Sequence, residues 1–192
     1  MKRKATILLL FLYFTSYSYA QQISISTNIG IAVVNTDNYK TNMLMRNTSL
    51  NYEFFSNSKK RMAVNVGTGL KTFAGSIDNN YSTRSALSVY AAIKSYIKVT
   101  ERSKLFAQIG TYYNYMFKEV LENINPQQKI TKRNLGGNVG VFSAFGIHSN
   151  ISNKFIIESS IESGGDINSN YKSGNNFTSE TFSFKLAFVF PL

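Results

Sequence analysis

Residues 181–192 read Thr-Phe-Ser-Phe-Lys-Leu-Ala-Phe-Val-Phe-Pro-Leu. Phe182, Phe184, Leu186, Phe188, Phe190 and Leu192 fall on one side of an extended chain, and Thr181, Ser183, Lys185, Ala187 and Val189 on the other. Period two holds without a break. The stretch predicts a strand with one strongly aromatic face, and the same alternation runs back through the chain to Gln22.

Eight such segments can be followed. The first sets Ile23, Ile25, Ile29, Ile31 and Val33 against Ser24, Ser26, Asn28, Gly30 and Ala32. The second sets Thr48, Leu50, Tyr52 and Phe54 against Ser49, Asn51 and Glu53, and the third sets Met62, Val64, Val66 and Leu70 against Ala63, Asn65, Gly67, Gly69 and Lys71. The fourth opposes Leu87, Val89, Ala91, Ile93 and Ile97 to Ser88, Tyr90, Ala92, Lys94 and Lys98. In the fifth, Leu105, Ala107, Ile109, Tyr113, Tyr115 and Phe117 oppose Phe106, Gln108, Gly110, Tyr112 and Asn114. The sixth sets Leu135, Val139, Val141, Phe145 and Ile147 against Gly136, Asn138, Gly140, Ala144 and Gly146, and the seventh sets Phe155, Ile157 and Ile161 against Glu158, Ser160 and Glu162.

The connections alternate in length. Longer ones are expected at 35–42, 75–83, 118–134 and 164–176, and short turns at 56–60, 101–103 and 149–154. That is the rhythm of an up-and-down barrel, and each segment reaches the roughly 9 to 11 residues that a tilted strand needs to cross a bilayer. A soluble eight-stranded barrel alternates too, but its polar face meets water and is rich in Lys and Glu. Here that face is mostly Gly, Ala, Ser and Asn beside Tyr90, Tyr96, Phe106, Tyr112 and Phe142, which suits a narrow enclosed interior. The expected fold is an all-β, eight-stranded antiparallel up-and-down transmembrane β-barrel occupying 21–192, closed so that every backbone group is satisfied within lipid.

Composition agrees. Only 16% of residues are charged, against roughly 25% in soluble domains, so something other than water faces much of the surface. Residues 1–20 have a basic start (Lys2, Arg3, Lys4), an apolar run from Ile7 to Phe14 and a small residue, Ala20, before Gln21. They read as a cleaved secretory signal peptide, too short in its apolar run for a retained membrane helix. With no cysteine, neither lipoprotein anchoring nor disulfide or thiolate chemistry is available. Net charge is +11, of which 21–192 carry +8 from 18 basic and 10 acidic residues. In an exported chain the expected counter-charge is anionic lipid rather than nucleic acid.

The closing strand resembles the last strand of bacterial outer-membrane β-barrels, in which alternating apolar residues up to the C-terminus form the assembly signal. Phe184, Leu186, Phe188 and Phe190 would carry it here, although two residues, Pro191 and Leu192, follow the final aromatic. Over its whole length the chain is similar to the small OmpX-like and OmpA-transmembrane-like proteins and to the barrel-domain proteins common in Bacteroidetes, whose Asn, Lys and Ser bias it shares. The resemblance implies an outer-membrane location, lipids and lipopolysaccharide around the barrel, and the barrel assembly machinery as a partner during biogenesis. It further implies a structural or surface-recognition role, with an accessory subunit of a larger outer-membrane secretion or assembly complex as the alternative. Lipid A deacylases and palmitoyl transferases also use small barrels.

Little in the sequence suggests such chemistry. The one histidine, His148, precedes Ser149, and neighbours on a strand point to opposite faces, so this pair cannot form a nucleophile and base by adjacency; His148 is expected to be a polar residue near a turn. Glu158 and Glu162 share a face, but with Glu53, Lys71, Lys94 and Lys185 directed into the same lumen the expectation is an internal ion network. No spacing suggests a metal or cofactor site. Arg46 faces either lipid or, through a bulge, the interior. In the 118–134 connection alternation continues from Phe117 through Glu119 to Leu121 and back through Ile130, with 123–128 as the turn. A hairpin standing above the membrane, bearing Val120, Leu121, Ile124 and Ile130, is one expectation; a loop or helical turn is the other.

Overall fold

The structure, a computed structural model, describes residues 19–35, 40–55, 61–77, 80–123, 128–171 and 177–192. Residues 1–18 of the expected signal peptide, and the connection residues Lys59, Lys60, Ile124 and Pro126, lie outside them. Eight strands form one closed antiparallel barrel: β1 (Tyr19–Asn35), β2 (Lys40–Phe55), β3 (Met62–Ile77), β4 (Asn80–Lys98), β5 (Ser103–Asn123), β6 (Gln128–Ser152), β7 (Phe155–Tyr171) and β8 (Thr178–Pro191). Each strand pairs with its sequence neighbours, and β8 closes on β1 from Gln22↔Pro191 to Asn35↔Thr178. The described part of the chain thus leaves no sheet edge along the wall.

Alternation decides which way each residue points. Ile25, Ile29 and Ile31 of β1, Ile93 and Ile97 of β4, Ile109 of β5, Phe145 of β6, Ile161 of β7 and Phe182, Phe184, Phe188 and Phe190 of β8 all face outward and are exposed. On β5 this apolar belt runs from Leu105 to Tyr115, about 25 Å of height for a strand tilted near 40°. Aromatic rings gather toward its edges. Phe155 packs on Phe188 and Phe190 with centroids 6.0 and 5.8 Å apart, and Tyr52 on Phe54 at 6.0 Å. Near the other edge Tyr113, Tyr115 and Tyr81 stand exposed. A surface of this size and apolarity is matched to hydrocarbon rather than water.

The inward face is built on opposite sizes. Gly67 is paired with Tyr90, Gly140 with Tyr112, Gly146 with Phe106, and Gly110 and Gly164 both with Phe142. At Gly67, Gly140 and Gly146 the ring occupies space that a side chain would need: a β-carbon on Gly67 would lie 2.5 Å from Tyr90 Cε1 and 2.6 Å from Asn51 Oδ1. The rings then meet one another in the lumen, Tyr90 with Phe142 edge-on at 5.6 Å and Tyr96 with Phe106 at 6.0 Å.

The strands run further than alternation suggested at one end. Most of the expected connections at 75–83 and 118–134 is strand, with Ile77↔Asn80 and Asn123↔Gln128 as the last pairs, and β7 continues to Tyr171 through what reads as a Gly-rich loop. Leu135, expected outside, is buried inside. The cause is local: Asn134 adopts φ 55° and Gly136 φ 110°, and the register of β5 against β6 slips between Met116 and Lys118, so an extra residue flips the face. Arg46, by contrast, lies in unbroken register on β2 and faces outward opposite Ile29.

Gly67→Ala should lower the stability of the folded barrel by about 1–3 kcal/mol through overpacking, read as a reduced urea midpoint in lipid vesicles. Since the nearest atoms are side-chain atoms of Tyr90 and Asn51, Gly67→Ala with Tyr90→Leu should cost less than the sum of the two single changes.

Candidate functional site

The lumen falls into three layers. In the layer nearest the short turns, Lys94 of β4 is fully buried, and its Nζ donates to Glu53 Oε2 at 3.0 Å and to both Glu158 oxygens at 2.7 and 2.8 Å. The Tyr96 hydroxyl donates to Glu53 and, at 3.3 Å, to Glu158 Oε1. His148, directly across from Glu158 in the ladder, meets the same oxygen through Nδ1 at 2.7 Å. The ammonium also lies over the Phe106 and Tyr96 rings, 4.3 and 5.0 Å from their centroids. Each charge has a counter-charge and directed hydrogen bonds, the condition under which ions persist in a dry interior. His148 is therefore an interior network member rather than a polar residue at a turn; its inward parity with Gly146 was the available signal.

In the middle layer the expected network divides. Lys185, Asn28, Asn47 and Lys71 form one row across β8, β1, β2 and β3. Neither lysine is ion-paired within 4.0 Å to a described carboxylate. Lys71 sits between the Phe73 and Tyr112 rings, 5.2 and 5.1 Å from their centroids, and Lys185 lies 5.5 Å from that of Tyr90. Glu162 accepts from Asn28 Nδ2 at 3.3 Å. The residue that gathers this layer is Asp166, which the sequence reading left in a loop. Its Oδ1 accepts from the Tyr112 hydroxyl at 2.7 Å, and its Oδ2 from Asn138 Nδ2 at 2.6 Å and from the backbone N–H and hydroxyl of Ser179 at 2.6 and 2.8 Å. β7 leaves the β8 ladder after Gly165↔Glu180, so the Asp166 side chain supplies an acceptor where the backbone pairing stops.

The third layer, toward the long connections, is apolar. Met43, Met45, Phe73, Met116, Leu135 and Phe177 close the lumen in one buried cluster. Above it Arg84 Nε and Glu119 Oε1 pair at 2.5 Å, with the guanidinium 4.3 Å from the centroid of the Phe177 ring. Both ends of the interior are thus filled by side chains.

Beyond this plug the hairpin of β5 and β6 continues, pairing Lys118↔Arg133, Val120↔Thr131, Leu121↔Ile130 and Glu122↔Lys129. β5 is flanked on its other side by β4, from Ser85↔Lys118 to Asn80↔Asn123. Among the described residues β6 has no such neighbour. Its pairing with β7 begins at Gly136↔Tyr171, so among the described residues 128–135 present a free strand edge, and 128–134 are exposed. Both ladders of β5 slip at Phe117, against Ser85/Ala86 of β4 and against Asn134 and Leu135 of β6, where the hairpin leaves the wall.

No protein-family model and no curated protein sequence matches the chain. Solved structures do. It is similar to the outer-membrane protein OprG of Pseudomonas aeruginosa (TM-score 0.57, 7% identity, 91% of this chain and 97% of that one). It is similar also to Neisserial surface protein A (0.55, 9%, 86% and 95%) and to the outer-membrane enzyme PagL (0.54, 12%, 88% and 99%). The chain has the small outer-membrane β-barrel fold. At such identities the likeness concerns the fold alone, and the proteins that share it include an enzyme.

Lys94→Met strands two buried carboxylates and should destabilise the barrel by about 3–5 kcal/mol. Adding Glu53→Gln and Glu158→Gln to it should restore much of that loss, measured by urea unfolding in lipid vesicles. A triple variant no more stable than Lys94→Met would contradict the layer's ionic basis.

Proposed function

We propose that the chain is an integral outer-membrane barrel, exported by a signal peptide cleaved before Gln21, and that its role is non-enzymatic recognition at the cell surface through the β5–β6 hairpin. The edge of 128–135, which no described residue pairs, carries this reading: such a strand, held in water by a rigid wall, can accept a strand of another chain by backbone hydrogen bonding. Lys129, Lys132 and Arg133 on that edge disfavour indiscriminate pairing and favour an acidic partner strand. The outward apolar belt supports immersion in lipid and lipopolysaccharide, and the Asn, Lys and Ser bias supports kinship with Bacteroidetes barrels. Phe184, Leu186, Phe188 and Phe190 all lie on the outer face of β8, where the assembly machinery would read them.

Two other readings draw on particular observations. The same edge would serve an accessory subunit docked to a larger barrel in a secretion or assembly complex. A lipid-modifying enzyme shares the fold, but the single histidine here is buried, bonded to Glu158, at the end of the lumen remote from the hairpin. That geometry favours the binding roles.

The full chain should fractionate with the outer membrane and need detergent for extraction. The purified protein should give no stable open channel in planar bilayers, because the lumen is filled; large steady currents would contradict it. Replacing residues 120–131 by a short Gly-Ser linker should leave the heat-resistant folded band intact on gels while abolishing capture of a partner from crosslinked outer membranes. Undiminished capture would refute the hairpin's role.

A further inference from the structure

On its outward face the hairpin carries two charged cross-strand pairs of opposite design. At the far end Glu122 and Lys129 face each other as an ion pair at 2.6 Å. At the near end, just above the apolar belt, Lys118 and Arg133 face each other with the same sign. Residues directly opposite in a ladder hold their β-carbons about 5 Å apart, and like charges there are destabilising. No described carboxylate relieves this pair: Glu119 lies on the other face and is bonded to Arg84.

The position of the pair says what compensates it. Directly below, Tyr115 donates from its hydroxyl to Asn134 Oδ1 at 3.0 Å, the polar tip of an otherwise apolar column. Lower still on the same three strands, a shallow apolar trough of about 360 Å3 runs over Ala91 and Thr111 between Val89, Tyr113 and Val139. Trough and cation pair are about 20 Å apart along β5, the length of a long acyl chain. A second trough of about 390 Å3, over Gly67 and Thr68, has no such pair above it, so the trough alone does not define the site.

We infer that Lys118 and Arg133 form a binding site for the phosphate of a membrane lipid at the hairpin-bearing rim, with an acyl chain lying in the trough below. Two cations on side chains whose β-carbons lie about 5 Å apart can share one phosphate oxygen set, and Arg can offer its planar fork to it. This rests on the membrane reading above but not on any protein partner. It adds a consequence: the bound lipid would hold the base of the hairpin at a fixed level.

The test uses the full-length folded protein in detergent, titrated with bisphosphorylated lipid A and followed by native mass spectrometry. The wild type should retain the lipid, and Lys118→Ala/Arg133→Ala should weaken retention roughly 30-fold, the effect of two cations at a lipid surface. Lys118→Arg/Arg133→Lys should restore it, Arg46→Ala should leave it unchanged, and millimolar inorganic phosphate should not compete. The inference is overturned if dephosphorylated lipid A binds as well, if the double alanine variant binds like the wild type with its folded gel band intact, or if inorganic phosphate displaces the lipid. Failure of the membrane reading would appear separately, as failure of the wild type to insert into vesicles of phosphatidylcholine.

Discussion

An eight-stranded barrel encloses a space only as wide as its own side chains, and this constraint governs the whole interior. Four of the interior rings, Tyr90, Phe106, Tyr112 and Phe142, stand opposite a glycine in the ladder, which leaves room for them. Once the rings are in place they divide the remaining volume. Lys94, Lys71 and Lys185 each rest against aromatic faces, so ring quadrupoles hold all three ammonium groups, joined at Lys94 by the carboxylates of Glu53 and Glu158. Packing and electrostatics are here one arrangement. A glycine lost from the wall would displace a ring and, with it, a charge.

Much of this was legible in the sequence because a membrane barrel makes period two carry two meanings at once. Ile25 and Ser26 differ in chemistry because one meets hydrocarbon and the other a neighbour's hydroxyl, Ser49 Oγ at 2.8 Å, and the eye can follow that contrast through every strand. The inward direction of Glu53, Lys94 and Glu158 followed from parity alone. What parity could not give was height and azimuth around the wall. Lys71 and Lys185 lie in the same row, on four adjacent strands, yet neither reaches a carboxylate to form an ion pair, whereas Glu53 and Glu158 converge on Lys94.

The misread residues share another cause. Alternation is a relation between neighbours, and it fails wherever a bulge inserts one residue. Leu135 was assigned outward because Asn134 gave no warning of its positive φ, although Asn followed by Leu-Gly-Gly is a sequence in which such a backbone is cheap. Asp166 sat in a run of Gly, Asn and Ser that resembles a loop by composition. Only the three-dimensional register reveals that it stands where β7 parts from β8 and that its carboxylate collects donors from β5, β6 and β8. His148 was discounted for being near a turn, when its parity was already that of the lumen.

The two register slips at Phe117, one in each ladder of β5, have a mechanical meaning. Aligned across adjacent strands, they interrupt the ladder along a single line, and an interrupted ladder bends more readily than a continuous one. The wall below is stiffened by closure and a filled interior, while in the sheet above no described residue flanks β6 on its outer side. A tug or torque on the tip will therefore be absorbed along this crease as a change of tilt. The barrel can remain an unmoved socket, and the hairpin can be steered without loosening a single residue of the lumen.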